Sequence, residues 1–312
     1  MGSAVARLFD AMAESYDVLE PWYAHLYAAL GAILERELVP PRDGRRRRAL
    51  DAGCGTGFPT ALLERLGYAA HGVDISPGLL AVARRRLPAA ALALASVEAL
   101  PYRDGHFDVA TCCGSTLSFV EAPARALGEL GRVLRPGGRL LVECEHRWSL
   151  DLAWTLFSSL TFDSLGYGVS AADAWRQATG SPRPGVVIDY PGYGRLRLFT
   201  VAELEAMLGA AGLTPLRRWG LHTVTNLIPS TILHRARLGR PLAALYRGLR
   251  ALDQALARCR LLHHGSNSLV ILARKDDSRE TSARALPARS AILRQPPAAA
   301  GRMTRAPGEH DP

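Results

Sequence analysis

The chain has 312 residues, 48% hydrophobic and 21% charged, a usage ordinary for a globular protein. No apolar run reaches the roughly 18 residues that a bilayer-crossing helix needs, and the start, MGSAVARLFD, lacks a signal-peptide hydrophobic region, so a cytoplasmic protein is expected. The net charge of +9 raises nucleic acid as a partner, but runs such as Arg45 to Arg48 and Arg84 to Arg86 have no interleaved aromatics to stack bases, and solvated faces explain them more simply. The five cysteines (Cys54, Cys112, Cys113, Cys144, Cys259) form no CxxC pair, so they read as reduced packing residues and no metal site is expected.

In chain order, Ala4 to Leu38 has a helical pattern, and "VPPRDGRRRR" breaks it. Strands are predicted at Ala49 to Ala52, Ala69 to Val73, Ala90 to Ala95, Asp108 to Cys113 and Arg139 to Cys144. Helices are predicted between them at Leu62 to Leu66, Leu79 to Leu87 and Pro123 to Leu134, the last closed by "RPGG". Ser76 before Pro77 is a cap followed by a proline at the first helical position. This alternation predicts a Rossmann-like, doubly wound α/β fold with a mostly parallel sheet covered on both faces.

After His146 the rhythm changes. "RWSLDLAWTLFSSL" is an amphipathic helix candidate, "GSPRPG" a loop, and "VVIDYPGYGRLRLF" a short hairpin. Thr200 with Glu203 forms a capping box that opens a helix over Val201 to Ala211. Leu216 to Val224 and Ser268 to Arg274 complete seven strands, separated by a helical, arginine-rich stretch from Ile228 to Leu262. From Lys275 to Pro312 the chain is rich in Ala, Arg and Pro without periodicity, and a disordered tail is expected.

The sharpest signal is "LDAGCGTG", Leu50 to Gly57, where a strand runs into a glycine turn and a helix. A dinucleotide site wants G-x-G-x-x-G; the spacing here is G-x-G-x-G, with Phe58 where the last glycine would fall. Asp74, ending the second strand, suits a ribose diol in either class.

Four motifs together carry a resemblance: "LDAGCGTG", "GVDIS" (Gly72 to Ser76), "VEALPYRDGHFDVATC" (Val97 to Cys112) and "RVLRPGGRLLVE" (Arg132 to Glu143). In order and spacing they resemble the class I S-adenosylmethionine-dependent methyltransferases, near the branch that includes quinone-biosynthesis enzymes. The resemblance implies S-adenosyl-L-methionine as cofactor. It places Gly53, Gly55 and Gly57 beside the methionine part, Asp51 near its ammonium, and Asp74 on the ribose. Ile75 would pack on the adenine, Ser96, Val97 and Glu98 would edge it, Cys112 and Cys113 would lie by the methionine moiety, and Tyr16 would close over it. Where the family often has Asp before this edge, the chain has Ser96, an uncharged acceptor.

Methyl transfer needs alignment and exclusion of water more than acid–base chemistry. Should the acceptor have to lose a proton, His146, after the fifth strand, is the first candidate base, ahead of Glu145 and His222. The resulting division is an N-terminal helical lid (1–48), a cofactor-binding core (49–146), an inserted substrate or lid segment (147–198), the remainder of the Rossmann-like domain with a helical insertion (199–274) and the tail (275–312). The aromatics Trp148, Trp154, Phe157, Phe162, Tyr167, Trp175, Tyr190 and Tyr193 of the insert predict an apolar pocket for a small, partly hydrophobic acceptor, lipid- or quinone-like. Nucleic-acid methylation, a non-catalytic cofactor-binding protein and an enzyme using the basic stretch at a membrane surface are the alternatives. Oligomeric state is left open.

Overall fold

The computed structural model describes residues 4–17, 20–180, 185–190, 192–235 and 237–277. Its strands are β1 (Arg48–Ala52), β2 (Ala69–Asp74), β3 (Ala91–Leu94), β4 (Phe107–Cys112), β5 (Leu134–Glu145), β6 (Val186–Tyr190), β7 (Gly194–Leu198), β8 (Leu213–Leu221) and β9 (Ser268–Lys275). Seven of them form one sheet in the order β3-β2-β1-β4-β5-β9-β8, while β6 and β7 pair apart as the expected antiparallel hairpin. β1 to β5 pair in parallel, and β9 runs antiparallel to both neighbours. The strand order reverses between β1 and β4, and the crevice beyond the carboxyl ends of such a pair is where ligands of open α/β sheets bind.

The helices are α1 (Ala4–Met12), α2 (Pro21–Glu37), α3 (Phe58–Arg65), α4 (Pro77–Arg86), α5 (Thr116–Phe119), α6 (Pro123–Val133), α7 (Leu150–Leu160), α8 (Ala171–Thr179), α9 (Val201–Ala210), α10 (Ser230–Leu233) and α11 (Arg240–Leu256). Successive strand residues face opposite sides, which divides the core in two. Leu50, Ala110 and Leu140 meet Leu127 and Leu130 of α6 and Leu204 and Leu208 of α9. Their chain neighbours Ala49, Val109 and Leu141 meet Leu30 and Leu34 of α2 and Leu62 and Leu63 of α3. Leu30 and Leu34 are fully buried, so truncating either to alanine should cost about 2–5 kcal/mol.

Local capping follows the sequence reading. Ser76 Oγ accepts from Leu79 N at 3.1 Å, and the Thr200–Glu203 capping box closes in both directions. Three expectations are corrected. The single helix over Ala4 to Leu38 is two, because the chain turns at 13–17 and restarts at Pro21, whose ring cannot continue a preceding helix. "RPGG" does not lie between helix and strand: β5 begins at Leu134 and runs through it, with Gly137 at φ 72°. The strand expected at Leu216 to Val224 is β8, which starts at Leu213 after Gly212 at φ 69° and ends at Leu221 before His222 at φ 56°. The tail from Ser278, residues 181–184 of the "GSPRPG" loop and Pro191 of the hairpin turn lie outside the described residues.

Candidate functional site

At the carboxyl ends of the parallel strands the chain leaves two adjoining cavities, of about 320 and 280 Å³. The first is built on the glycine turn. Gly53 N and Cys54 N both donate to Val73 O, at 2.8 and 2.9 Å, so the chain leaves β1 in a tight bend beside β2. Gly53, Gly55 and Gly57 hold φ of 78°, 51° and 95°, a region that side chains disfavour. A Cβ on Gly53 would overlap Thr116, whereas one on Gly55 would find nothing closer than Tyr16 at 3.8 Å. Gly55 therefore presents bare backbone to open space.

Asp74 ties this turn to the next. Its Oδ2 accepts from Gly55 N at 2.8 Å and its Oδ1 from Ser76 N at 2.9 Å. Burial pushes its carboxyl above the usual range, against those backbone hydrogen bonds. These bonds do not exhaust the acceptor capacity of the carboxylate, and the side chain lines the cavity. Ile75, Ser96, Val97, Glu98, Cys113 and Tyr16 line it as well, with Gly53 and Gly55. Ser96 Oγ is already an acceptor for Glu98 N at 3.1 Å.

Asp51, Gly57 and Cys112 stand behind the wall rather than on it. Asp51 is fully buried, accepts from Thr60 Oγ1 at 2.7 Å and Thr111 Oγ1 at 2.9 Å, and is pushed by burial to a pKa of about 6. At Gly57 an added Cβ would press on Leu87 at 2.7 Å, so this glycine serves the packing of α3 against the end of α4. Cys112 is fully buried, and burial pushes its thiol up, which leaves it without nucleophilic character.

The N-terminal segment roofs this cavity with Val5, Phe9, Tyr16 and Asp17. Asp10 Oδ1 accepts from Ser76 Oγ at 2.5 Å and Gly78 N at 2.8 Å, pinning α1 onto the start of α4. Thr56 Oγ1 donates to Asp17 Oδ1 at 2.8 Å on the other side of the glycine turn. None of these latches was visible in local sequence patterns.

The second cavity shares Phe9, Tyr16, Tyr27, Gly114 and Phe119 with the first. His146 lies in its wall, 1% exposed. Its Nδ1 is 3.0 Å from the Ser266 carbonyl, which accepts only from the Nδ1–H tautomer, so the lone pair is on Nε2. That Nε2 is buried without a hydrogen-bond partner among the described residues. Burial holds the imidazole down at a pKa of about 4 and therefore neutral. Beside it, Glu145 accepts from Ser115 Oγ at 2.7 Å and Asn267 Nδ2 at 3.1 Å, and burial together with the Glu143 charge lifts its carboxyl to about 8. His222 is in neither wall; it stacks on Trp22 with ring centroids 3.6 Å apart.

The aromatic lining comes from an unexpected direction. Of the insert's aromatics only Tyr190 and Tyr193 reach this cavity. Trp148, Phe157, Phe162 and Trp175 are exposed, Trp154 Nε1 donates to Asn226 O, and Tyr167 hydrogen-bonds Asp151. Phe9, Tyr16, Trp22, Tyr23 and Tyr27 of the N-terminal segment take their place. The arginine runs are partly neutralised inside the fold: Arg47 pairs with Asp43 at 2.6 Å, and Arg45 and Arg135 meet Asp108. Among the described residues no helix is long and apolar enough to cross a membrane.

A glycine-lined bend, an acid at the tip of the adjacent strand and a ligand crevice at the switch point of the sheet are the marks of a Rossmann-like, doubly wound α/β fold. Residues 50–142 match the sequence model of the family described as a methyltransferase domain. The chain is 35% identical to a malonyl-[acyl-carrier protein] O-methyltransferase from Serratia marcescens over 57% of its own length and 59% of the relative's. It is 41% identical to a demethylmenaquinone methyltransferase from Thermus thermophilus over 43% of its own length and 63% of the relative's. The chain thus spans about three-fifths of the curated relatives it matches. Among solved structures, the [4+2]-cyclase SpnF superposes with a TM-score of 0.53 at 22% identity, covering 87% of this chain and 93% of that one. The CcbJ methyltransferase from Streptomyces caelestis gives 0.51 at 17% identity, covering 88% and 100%. These likenesses show the fold.

Proposed function

We propose that the protein is an S-adenosylmethionine-dependent methyltransferase acting on a small, partly hydrophobic organic acceptor. The observation that carries this reading is the charge of the first cavity. Asp17, Asp74, Glu98 and Glu121 line it, and among the described residues no lysine or arginine does. A dinucleotide brings a pyrophosphate, which such a wall would repel. S-adenosylmethionine brings a net positive charge, its sulfonium and ammonium outweighing one carboxylate, which such a wall suits.

The residues fit that group. The remaining acceptor capacity of Asp74 would receive the ribose hydroxyls, and Ile75, 37% exposed, gives an apolar face for the adenine. Val97 and Ser96 would edge the ring, while the bare backbone at Gly55 would admit the methionine part close to the turn. Asp51, behind the wall, would act through the turn it supports, as would Gly57 and Cys112. When bound, the cofactor supplies an activated methyl group to a nucleophile aligned with its sulfur. The protein's share is to hold the acceptor in line and keep water out, which the shared wall of Phe9, Tyr16, Tyr27 and Phe119 favours. For an acceptor that must shed a proton, His146 in the wall of the second cavity is the candidate base, its buried Nε2 having to be uncovered as the acceptor seats.

The relatives named above suggest a malonyl thioester or a quinone as acceptor. A malonyl group ends in a carboxylate, and the second cavity carries no lysine or arginine among the described residues to receive it, which favours a neutral or cationic acceptor. Calorimetric titration of the purified chain should give heat with S-adenosylhomocysteine and none with NAD; the reverse result would refute the proposal. Labelling of metabolite extract with an isotopically marked donor, blanked by Asp74→Ala, would then find the product.

A further inference from the structure

We infer, on the basis of that reading, that the second cavity selects an amine: a compact, ring-bearing acceptor whose ammonium is received by Glu145. The chain has 38 lysines and arginines, yet none of the described ones lines this cavity, while Glu20, Glu145 and Asp151 do. Asp151 is engaged, accepting from Tyr167 Oη at 2.5 Å and Ser230 Oγ at 2.8 Å. Glu20 lies against His234 at 2.9 Å. Glu145 is different. Each of its oxygens accepts one hydrogen bond, from Ser115 and from Asn267, and each keeps a second acceptor position.

One further feature points to a ligand there. Aromatic rings of Tyr16, Trp22, Tyr23, Tyr27 and Tyr190 surround the space, and ring faces attract a desolvated cation. Burial and the Glu143 carboxylate favour a proton on Glu145 while the cavity is empty. A bound ammonium supplies the missing counter-charge and ionises it. A carboxylate acceptor would instead join Glu20 and Asp151 in a wall that holds no lysine or arginine among the described residues. A volume of about 280 Å³ holds two fused rings and a short arm.

The test is calorimetry on the full chain saturated with S-adenosylhomocysteine, using three probes on one ring system: tryptamine, tryptophol and indole-3-propionate. Tryptamine should bind at least 10-fold more tightly than either of the others. Glu145→Gln keeps an acceptor for Asn267 and a partner for the Ser115 hydroxyl, and should abolish the preference for tryptamine over tryptophol while leaving tryptophol within about two-fold. Indole-3-propionate binding as tightly as tryptamine overturns the inference, and so does a preference that survives in the variant or no tryptamine binding at all. The ranking in the unmodified chain stands without the variant. Heat from S-adenosylhomocysteine in the same cell separates the two readings: its presence confines a failure to the acceptor, and its absence brings down the cofactor assignment.

Discussion

Replacing Asp74 tests the site at the atom on which it turns. The side chain holds two backbone N–H groups, of Gly55 at 2.8 Å and Ser76 at 2.9 Å, and is 7% exposed. In Asp74→Asn one oxygen becomes an NH₂ that cannot accept, so one of these donors loses its partner at about 1–3 kcal/mol. For a chain of this size that lowers the Tm by roughly 2–4 °C per kcal/mol. The ribose also loses a charged acceptor, worth about 1.5–3 kcal/mol, or roughly 10- to 150-fold in Kd for S-adenosylhomocysteine. Asp74→Ala should be worse on both counts, since both donors are orphaned. The assay is paired: thermal unfolding of the unliganded chain, then calorimetric titration at a temperature where the variant stays folded. Unchanged affinity in a folded Asp74→Asn variant would refute the ribose assignment, and affinity lost without any fall in Tm would refute the account of the turn.

Other outcomes follow from the same geometry. Gly53→Ala should abolish measurable S-adenosylhomocysteine binding, because its Cβ overlaps Thr116; adding Thr116→Gly should restore part of it, leaving the φ 78° penalty of about 1–2 kcal/mol. Asp51→Asn should weaken S-adenosylhomocysteine less than Asp74→Asn does, since Asp51 stands behind the wall with both oxygens engaged by threonines; an equal loss would show that it reaches the ligand. His146 has a folded pKa near 4 against an ordinary value near 6.5, so its contribution is complete above pH 6.5 and declines as pH falls toward 4, by about 3 kcal/mol at the limit. Urea midpoints measured from pH 8 to pH 4.5 should fall less steeply in His146→Gln, and parallel slopes would show that another group governs the decline.

Much of the scaffold was readable because its determinants are local. β5 and β9 carry the short apolar runs Leu140 to Val142 and Leu269 to Ala273, Ser76 precedes Pro77, and four motifs in order and spacing carry the resemblance from which the ligand class was expected. Gly53, Gly55, Asp74, Ile75, Ser96, Val97, Glu98, Cys113 and Tyr16 do converge on one cavity. What escaped reading depends on distance along the chain. Asp10 meets Ser76 across 66 residues, and Glu145 meets Asn267 across 122. No periodicity encodes such pairings. The aromatics of the insert failed for another reason: Phe162 and Trp175 sit on helical or turn segments where composition does not say which side faces solvent, and both are exposed. The helical pattern of the first 38 residues concealed the turn ahead of Pro21, and it is this turn that brings Tyr16 over the crevice.

The N-terminal segment belongs to both chambers at once. Phe9 and Tyr16 line the first cavity and the second, and the Asp10 carboxylate clasps that cover to the start of α4. On the proposed function, any movement of that cover would bare both cavities together, so the coming and going of the two ligands would be linked through the Asp10 clasp.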